Sequence, residues 1–119
     1  MVKEIYDVSD NFPSEEKFGL ISQMRRSSIS IASNIAEGSG KESNKEFIRF
    51  LEIAYSSAFE LETQIILSHD LNFISDDDEI SLLKKIREIQ KMIFTFVISL
   101  KSKNNSLLNL NLVAVPLFL

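Results

Sequence analysis

Residues 33–51 read SNIAEGSGKESNKEFIRFL, and this stretch decides the fold. A helical pattern ends near Gly38, where glycine suits the left-handed backbone that often terminates a helix. A second pattern begins at Ser43, which forms a capping box with Glu46 three residues later. Only a short turn is left between them, so the two helices are predicted to pack side by side as an antiparallel hairpin.

Apolar residues on both sides of this turn recur every three or four positions, as one face of a helix requires. A third run with the same spacing follows further along the chain, so three long helices are predicted to share one core. The three faces are Ile21, Met24, Ser28, Ile31 and Ile35, then Phe47, Leu51, Ala54, Ala58, Leu61 and Ile65, then Leu82, Ile86, Ile89, Ile93, Phe96 and Leu100.

The remaining helix starts also carry local signals. Ser14 is predicted to cap the second helix, and Ser75 is predicted to cap the last one. Upstream of Asn11 the apolar residues Val2 and Ile5 fill only about two turns, so the first helix should be short. The sequence therefore predicts an all-α, up-down antiparallel four-helix bundle with a shortened first helix.

The composition excludes several classes of protein. A chain of 119 residues with 45% hydrophobic residues suits one globular domain, and three Gly and two Pro are too few for a turn-rich β fold. The absence of Cys excludes disulfides and thiolate metal sites. The first ten residues, MVKEIYDVSD, lack the apolar stretch of a secretory signal, so a cytoplasmic location is expected.

The net charge of −4 is unevenly distributed along the chain. Residues 52–79 contain eight acidic side chains and no Lys or Arg, whereas residues 84–103 contain six basic side chains and one acidic. Basic residues also recur at Lys41, Lys45 and Arg49. Such runs are usually solvated faces. Repeated around an axis shared by several copies, however, they would form a basic rim that the net charge conceals.

A polar stripe runs beside the apolar face of each hairpin helix. In the second helix it comprises Gln23, Arg26, Ser30, Asn34 and Glu37, and in the third helix it comprises Glu46, Arg49, Ser56 or Ser57, Glu60 and Gln64. Because both helices rise equally per residue, antiparallel packing brings together residues whose numbers have a nearly constant sum. The predicted contacts are Arg26 with Glu60, Ser30 with Ser56, and Glu37 with Arg49.

Two interpretations of these stripes remain open. Buried polar groups can fix the register of two helices, and the stripes would then have a purely structural role. Alternatively, Arg26, Asn34, Glu37 and Arg49 line a contact with a ligand or a second subunit.

Two kinds of site can be tested by the residues that each of them requires. A di-iron bundle needs repeated Glu-x-x-His motifs, but His69 is the only histidine and Ile66 stands where the glutamate would be. The run from Gly38 to Lys41 is similar to a phosphate-binding loop, yet Glu42 replaces the required Ser or Thr and a helix precedes it. No catalytic, cofactor or metal site is predicted, and the chain is expected not to be an enzyme.

A more specific pattern covers residues 12–74. It contains FPSEEKFGL from Phe12, QMRR from Gln23, SIASNIAEG from Ser30, KEFIRFL from Lys45 and ELET from Glu60. These motifs resemble the bacterial 23S rRNA intervening-sequence protein family, also called the four-helix-bundle protein family. The match covers about half the chain closely, and a generic bundle does not need these motifs.

The resemblance implies a left-handed four-helix bundle that assembles into a ring, a homopentamer with a central pore. It also implies a relationship to the accessory protein that partners reverse transcriptase in diversity-generating retroelements. Nucleic-acid binding, to RNA or DNA, is suspected in the family, and no enzymatic activity is implied. The matching polar positions are Gln23, Arg26, Ser30, Asn34, Glu37, Lys45, Glu46, Arg49, Ser57, Glu60 and Glu62.

The chain departs from the family pattern at Lys41, where arginine is usual, and at Ser56, where glycine is usual. Residues 1–103 are predicted to form the bundle, and residues 104–119 an apolar tail outside the family pattern that is too short to span a bilayer. The favoured function is a non-enzymatic homo-oligomeric scaffold that binds structured RNA without contacting membranes. The alternative is a protein-binding adaptor with no direct nucleic-acid contact.

Overall fold

The computed structural model describes residues 1–105, and every regular element within that range is helical. The all-α prediction is confirmed, and the first helix is short, with eight residues. The elements are α1 (Val2–Ser9), a single 3-10 turn (Ser14–Glu16), α2 (Leu20–Ser39), α3 (Asn44–Asp70) and α4 (Asp76–Asn105).

Helices α2 and α3 form the predicted hairpin. Arg26 contacts Glu60, and Gly38 packs against Phe50, so residues later in α2 meet residues earlier in α3. The connection lies between Ser39 and Asn44, as expected for a helix connector rather than a nucleotide loop. The two helices therefore run antiparallel.

Helix α4 also packs along α3. Arg87 contacts Glu62, and Phe96 contacts Phe47, again in opposite chain order. The predicted apolar faces of all three long helices line one core, in which Ile21 and Phe47 are the only members that are partly exposed. The up-down order of all four helices and their assembly into a ring stay predictions.

Arg25, which the sequence analysis did not single out, holds α1 against α2. Its guanidinium donates to Ser9 Oγ and to Asp10 Oδ1, both at 2.9 Å. It also lies 4.4 Å from the ring centroid of Tyr6. Ile5 of α1 is fully buried in the core, and these polar and cation–π contacts add to the attachment of a helix that is too short to bury much apolar surface.

The predicted start of α2 at Ser14 is wrong. Ser14 lies in the 3-10 turn, and α2 begins six residues later at Leu20, with Gly19 in the N-cap position. Gly19 adopts φ −105° and ψ −111°, outside the helical region, so the helical run cannot pass through it. In place of a capping serine, Glu16 Oε1 accepts a hydrogen bond from the Leu20 amide at 3.4 Å.

The predicted C-terminal role of Gly38 is also wrong. Gly38 is buried inside α2, the helix continues to Ser39, and no glycine in the described chain has a positive φ. A Cβ atom at this position would lie 2.7 Å from Phe50 Cβ and 2.9 Å from Phe47 Cδ1. Gly38 is therefore needed for the close approach of α2 to α3.

The predicted caps of α3 and α4 are confirmed. Ser43 Oγ accepts a hydrogen bond from the Glu46 amide at 3.2 Å, and Ser75 Oγ accepts one from the Asp78 amide at 3.1 Å. Each cap satisfies one of the free amides in the first helical turn.

The turn between α3 and α4 is stabilised by contacts of His69 with Asp76 and Glu79, which together are named the clasp. Asn72 adopts a positive φ of 63°, and His69 Nε2 lies 2.6 Å from Asp76 Oδ1. His69 Nδ1 lies 3.4 Å from Glu79 Oε2. The hydrogen bond with Asp76 raises the pKa of His69, and the negative charges of Glu79, Asp76 and Asp70 act in the same direction.

Replacing Gly38 by Ala is expected to destabilise the protein by about 1–3 kcal/mol, because the new methyl group forces the two helices apart. This reverses the gain that alanine normally gives within a helix. Gly40→Ala is the control, since its Cβ would lie 3.5 Å from Glu37 O, an ordinary contact. Urea unfolding of both variants measures the difference. Equal stability of the two would contradict the proposed role of Gly38.

His69 should make stability depend on pH. Because folding raises its pKa, the contribution is complete below the unfolded value of about 6.5 and is lost as pH rises through the folded value. The native protein should therefore unfold at lower urea concentration as pH increases from about 6 to 8. His69→Gln should flatten this dependence. An unchanged slope in the variant would exclude the clasp as its cause.

Candidate functional site

The polar stripes of α2 and α3 meet in a continuous seam. Arg26 donates to Gln23 Oε1 at 3.0 Å and to Glu60 Oε1 at 3.4 Å, so the predicted contact between Arg26 and Glu60 forms. The side chains of this ion pair are 60% and 45% exposed, respectively. Because both side chains are exposed, this part of the seam is accessible to a partner. An ion pair in contact with solvent contributes at most about 1 kcal/mol to the stability of the fold.

The serine contact predicted in the middle of the seam forms one residue away from the expected position. Ser30 Oγ lies 2.8 Å from Ser57 Oγ, whereas Ser56 is exposed. One residue turns a helix by about 100°, and Ser57 is the position that faces α2. Asn34 completes the contact by donating to Ser30 O at 2.8 Å and to Ser30 Oγ at 3.1 Å.

The predicted ion pair between Glu37 and Arg49 does not form. Both side chains are exposed, and none of the ion pairs among residues 1–105 joins them. The helices are closest beside them, at Gly38, where phenylalanines fill the contact. Polar side chains flanking such a tight apolar contact point outward to keep their hydration.

The sequence analysis placed Gln64 in the stripe of the third helix, but it missed Ser27 and Ser68, the other residues of the buried part of the seam. Ser27 is fully buried, and its Oγ lies 2.8 Å from Gln64 Oε1 and 2.9 Å from Glu60 Oε1. Ser68, also buried, donates to Gln64 O at 2.7 Å and lies 3.2 Å from Met24 Sδ. The sequence signal for this part was the spacing of four residues from Gln23 to Ser27 and from Gln64 to Ser68, which places the members of each pair on one face of a helix.

The seam thus has two parts with different accessibility. Ser27, Gln64 and Ser68 are enclosed and hydrogen-bonded within the protein, which matches the interpretation that buried polar groups fix the register. Gln23, Arg26 and Glu60 are exposed at its edge.

Three basic residues lie around the start of α3. Lys41, Lys45 and Arg49 are all exposed, and none of them forms an ion pair with an acidic residue in the described chain. Lys41 Nζ lies 5.2 Å from the ring centroid of Phe50, which keeps the ammonium group near the helix surface. The positive charge at this end of the hairpin thus has no ion-pair partner within residues 1–105.

The basic residues of α4 are different, because two of them are neutralised internally. Lys85 Nζ lies 3.2 Å from Glu4 Oε1, and Arg87 Nε lies 2.7 Å from Glu62 Oε2. The Arg87 guanidinium lowers the pKa of Glu62. A hydrogen bond from the amino group of Met1, helped by Lys85, lowers the pKa of Glu4 to about 2. The number of basic residues in α4 therefore overstates its free positive charge.

Two apolar regions lie on the surface. The first, named the α1–α2 patch, consists of Tyr6, Phe18, Ile21 and Ile29 around a hollow of about 580 Å³, and Phe18 is 87% exposed. The second, named the α3–α4 groove, is lined by Tyr55, Phe59, Phe94, Val97 and Ile98. Large exposed apolar regions usually mark contacts with other chains or segments.

Other kinds of site were sought within residues 1–105. No group of three or more His, Asp or Glu side chains there is arranged to hold a metal ion. None of the described helices combines the length and apolarity that crossing a bilayer requires.

Comparisons with known proteins identify the family. The model of the 23S rRNA-intervening sequence protein family matches residues 1–95. A crystal structure of a protein with unknown function from the S23 ribosomal protein family of Bacteroides thetaiotaomicron has a TM-score of 0.75. It is 28% identical, and the alignment covers 81% of this chain and 90% of that chain. No curated protein is significantly similar. With its motifs and helical fold, this chain belongs to the 23S rRNA-intervening sequence protein family.

Proposed function

We propose that this chain is a non-enzymatic, cytoplasmic scaffold that assembles with copies of itself and binds structured RNA at the start of α3. The observation that carries the proposal is the free positive charge of Lys41, Lys45 and Arg49, in contrast to the internally paired Lys85 and Arg87. A family associated by name with 23S rRNA intervening sequences supports RNA as the ligand.

The physical basis is phosphate neutralisation. Unpaired Lys and Arg side chains displace the cations that are condensed on a phosphate backbone, and the release of these cations drives binding. Three such residues in one chain give weak affinity, especially when the net charge is −4. Several copies on a shared axis would present the same three residues repeatedly, and the combined contacts would strengthen binding. RNA binding is therefore proposed as a property of the assembly.

Assembly is supported by the α1–α2 patch. Phe18 is almost fully exposed, and Tyr6 and Ile29 extend the apolar surface beside it. Burying this patch against a second copy would remove apolar area from water. We take the homopentamer implied by the family resemblance as the proposed state.

The same patch also supports a second candidate function. An aromatic and aliphatic surface is typical of protein interfaces, so the chain would then be an adaptor for another polypeptide and would not contact RNA directly. The salt dependence of binding distinguishes the candidates, because phosphate contacts weaken steeply with ionic strength and apolar contacts do not.

Removing the three free charges tests RNA binding. The triple variant Lys41→Gln, Lys45→Gln and Arg49→Gln should bind a structured RNA from a 23S rRNA intervening sequence at least about tenfold more weakly. The slope of log affinity against log salt concentration should also be shallower, by about one unit for each phosphate that is no longer neutralised. Filter binding between about 50 and 200 mM salt measures both quantities.

A matched control changes the net charge equally at other exposed positions, Lys3→Gln, Lys84→Gln and Lys91→Gln. It should retain most of the affinity. An equal loss of affinity in both triple variants would mean that only the overall charge matters. The absence of RNA binding by the native assembly at low salt would reject the RNA function and favour the adaptor.

The assembly is tested by light scattering during size-exclusion chromatography. A pentamer would have a mass of about 68 kDa, five times the 13.6 kDa of the chain. Phe18→Ser should dissociate it because the change removes the most exposed aromatic ring of the patch. Ile80→Ser, at a 66% exposed position outside the patch, is the control and should leave the mass unchanged. A native chain that elutes as a monomer would refute the proposed assembly.

A further inference from the structure

The α3–α4 groove is a continuous apolar channel beside the end of α4. Two hollows of about 230 and 150 Å³ share Tyr55 and Phe94 as lining residues, so they are sections of one groove. The ring centroid of Tyr55 lies 4.9 Å from that of Phe59 and 6.2 Å from that of Phe94. Phe94 and Ile98 are 54% and 50% exposed, respectively.

The chain carries a matching apolar segment close to this groove. Lys101 lines the end of the groove, and the described part of α4 extends one turn further, to Asn105. The remaining sequence, SLLNLNLVAVPLFL, has no charged residue, and ten of its fourteen residues are Leu, Val, Ala or Phe. A segment of this composition gains by burial, and the nearest exposed apolar surface on α4 is the groove, at whose edges Glu52, Gln90, Lys91 and Lys101 also contribute to the lining.

We propose that residues 106–119 dock in the α3–α4 groove of their own chain and act as an internal cap that any partner must displace from this face. The proposal concerns a surface distinct from the basic residues at the start of α3, so it stands or falls separately from RNA binding.

The tether is long enough for this docking. From Asn105 back to Phe94, α4 extends for about 16 Å. Fourteen residues reach about 21 Å at the rise of a helix and about 46 Å at the rise of a strand, so either backbone form leaves residues for a reversal. Attachment to α4 also gives the segment a high effective concentration at the groove, of the order of millimolar, which a free partner must exceed.

The other apolar region is a poorer acceptor because of its distance. Phe96 packs against Phe47, and Phe47 neighbours Gly38, so Phe96 of α4 lies level with the end of α2. Phe18, the centre of the α1–α2 patch, lies before the start of α2 at Leu20, and about 27 Å of helical rise separates Leu20 from Gly38. The groove is thus the apolar surface within easier reach of Asn105.

Introduced cysteines test the docking, since the native chain has none. Ile98→Cys is combined with Leu112→Cys or with Val115→Cys, which covers two registers of the segment. The control places the α4 cysteine at Ser99, the next residue along, whose side chain points about 100° away around the helix. The purified full-length variants are oxidised at low concentration, and products are separated without reductant and identified by mass spectrometry.

We expect a disulfide within a single chain for at least one of the Ile98→Cys pairs and at least fivefold less for the Ser99→Cys pairs. Disulfide-linked dimers at Ile98→Cys would show that a second copy occupies the groove, and this would overturn the proposal. Equal yields at the two α4 positions, or no disulfide at either, would also overturn it.

A second measurement does not depend on the register. In a Tyr6→Phe background, Tyr55 in the groove is the only tyrosine, and the chain has no Trp. Changing Leu112 and Leu117 to Asp should increase acrylamide quenching of Tyr55 fluorescence by about twofold, because the cap is released. Circular dichroism confirms that the bundle stays folded. Unchanged quenching in a folded variant would contradict the docking.

Discussion

The close approach of α2 and α3 at Gly38 is the constraint on which the remaining structure depends. No side chain fits there, because Phe47 and Phe50 of α3 already fill the space that a Cβ would occupy. The two most distinctive motifs of the sequence, SNIAEG and KEFIRF, are therefore the two sides of one contact. Phe47 also touches Phe96, so the same contact positions α4.

The polar seam complements this apolar contact by allowing only one register. Shifting α3 by one residue would separate Ser27 from Gln64 and leave buried polar atoms unsatisfied, at a cost of about 1–3 kcal/mol for each group. Uniform apolar packing alone discriminates poorly between neighbouring registers. A tight glycine contact at one end and buried hydrogen bonds further along thus define how the hairpin closes.

Internal pairing of charges determines which surface can bind a ligand. The acids of α1 and α3 neutralise Lys85 and Arg87, and Arg25 is used to hold α1. The basic residues at the start of α3 retain free charge. The α1–α2 patch and the α3–α4 groove are apolar surfaces at other positions. Separate regions for nucleic acid, for further copies and for the chain's own final segment are consistent with a scaffold that brings other molecules together.

Local chemistry and periodicity in the sequence by themselves determined the all-α fold, the core faces, the caps at Ser43 and Ser75, and the ion pair between Arg26 and Glu60. These features depend on residues a few positions apart or on equal helical rise. Only the tertiary structure decided that Gly38 allows the close contact of α2 with α3, and that α2 begins at Leu20. It also decided that Ser57 rather than Ser56 contacts Ser30, and that Glu37 and Arg49 stay apart. The reason is geometric: the rotation of each helix about its axis, and the depth to which side chains interlock, arise from the whole interface.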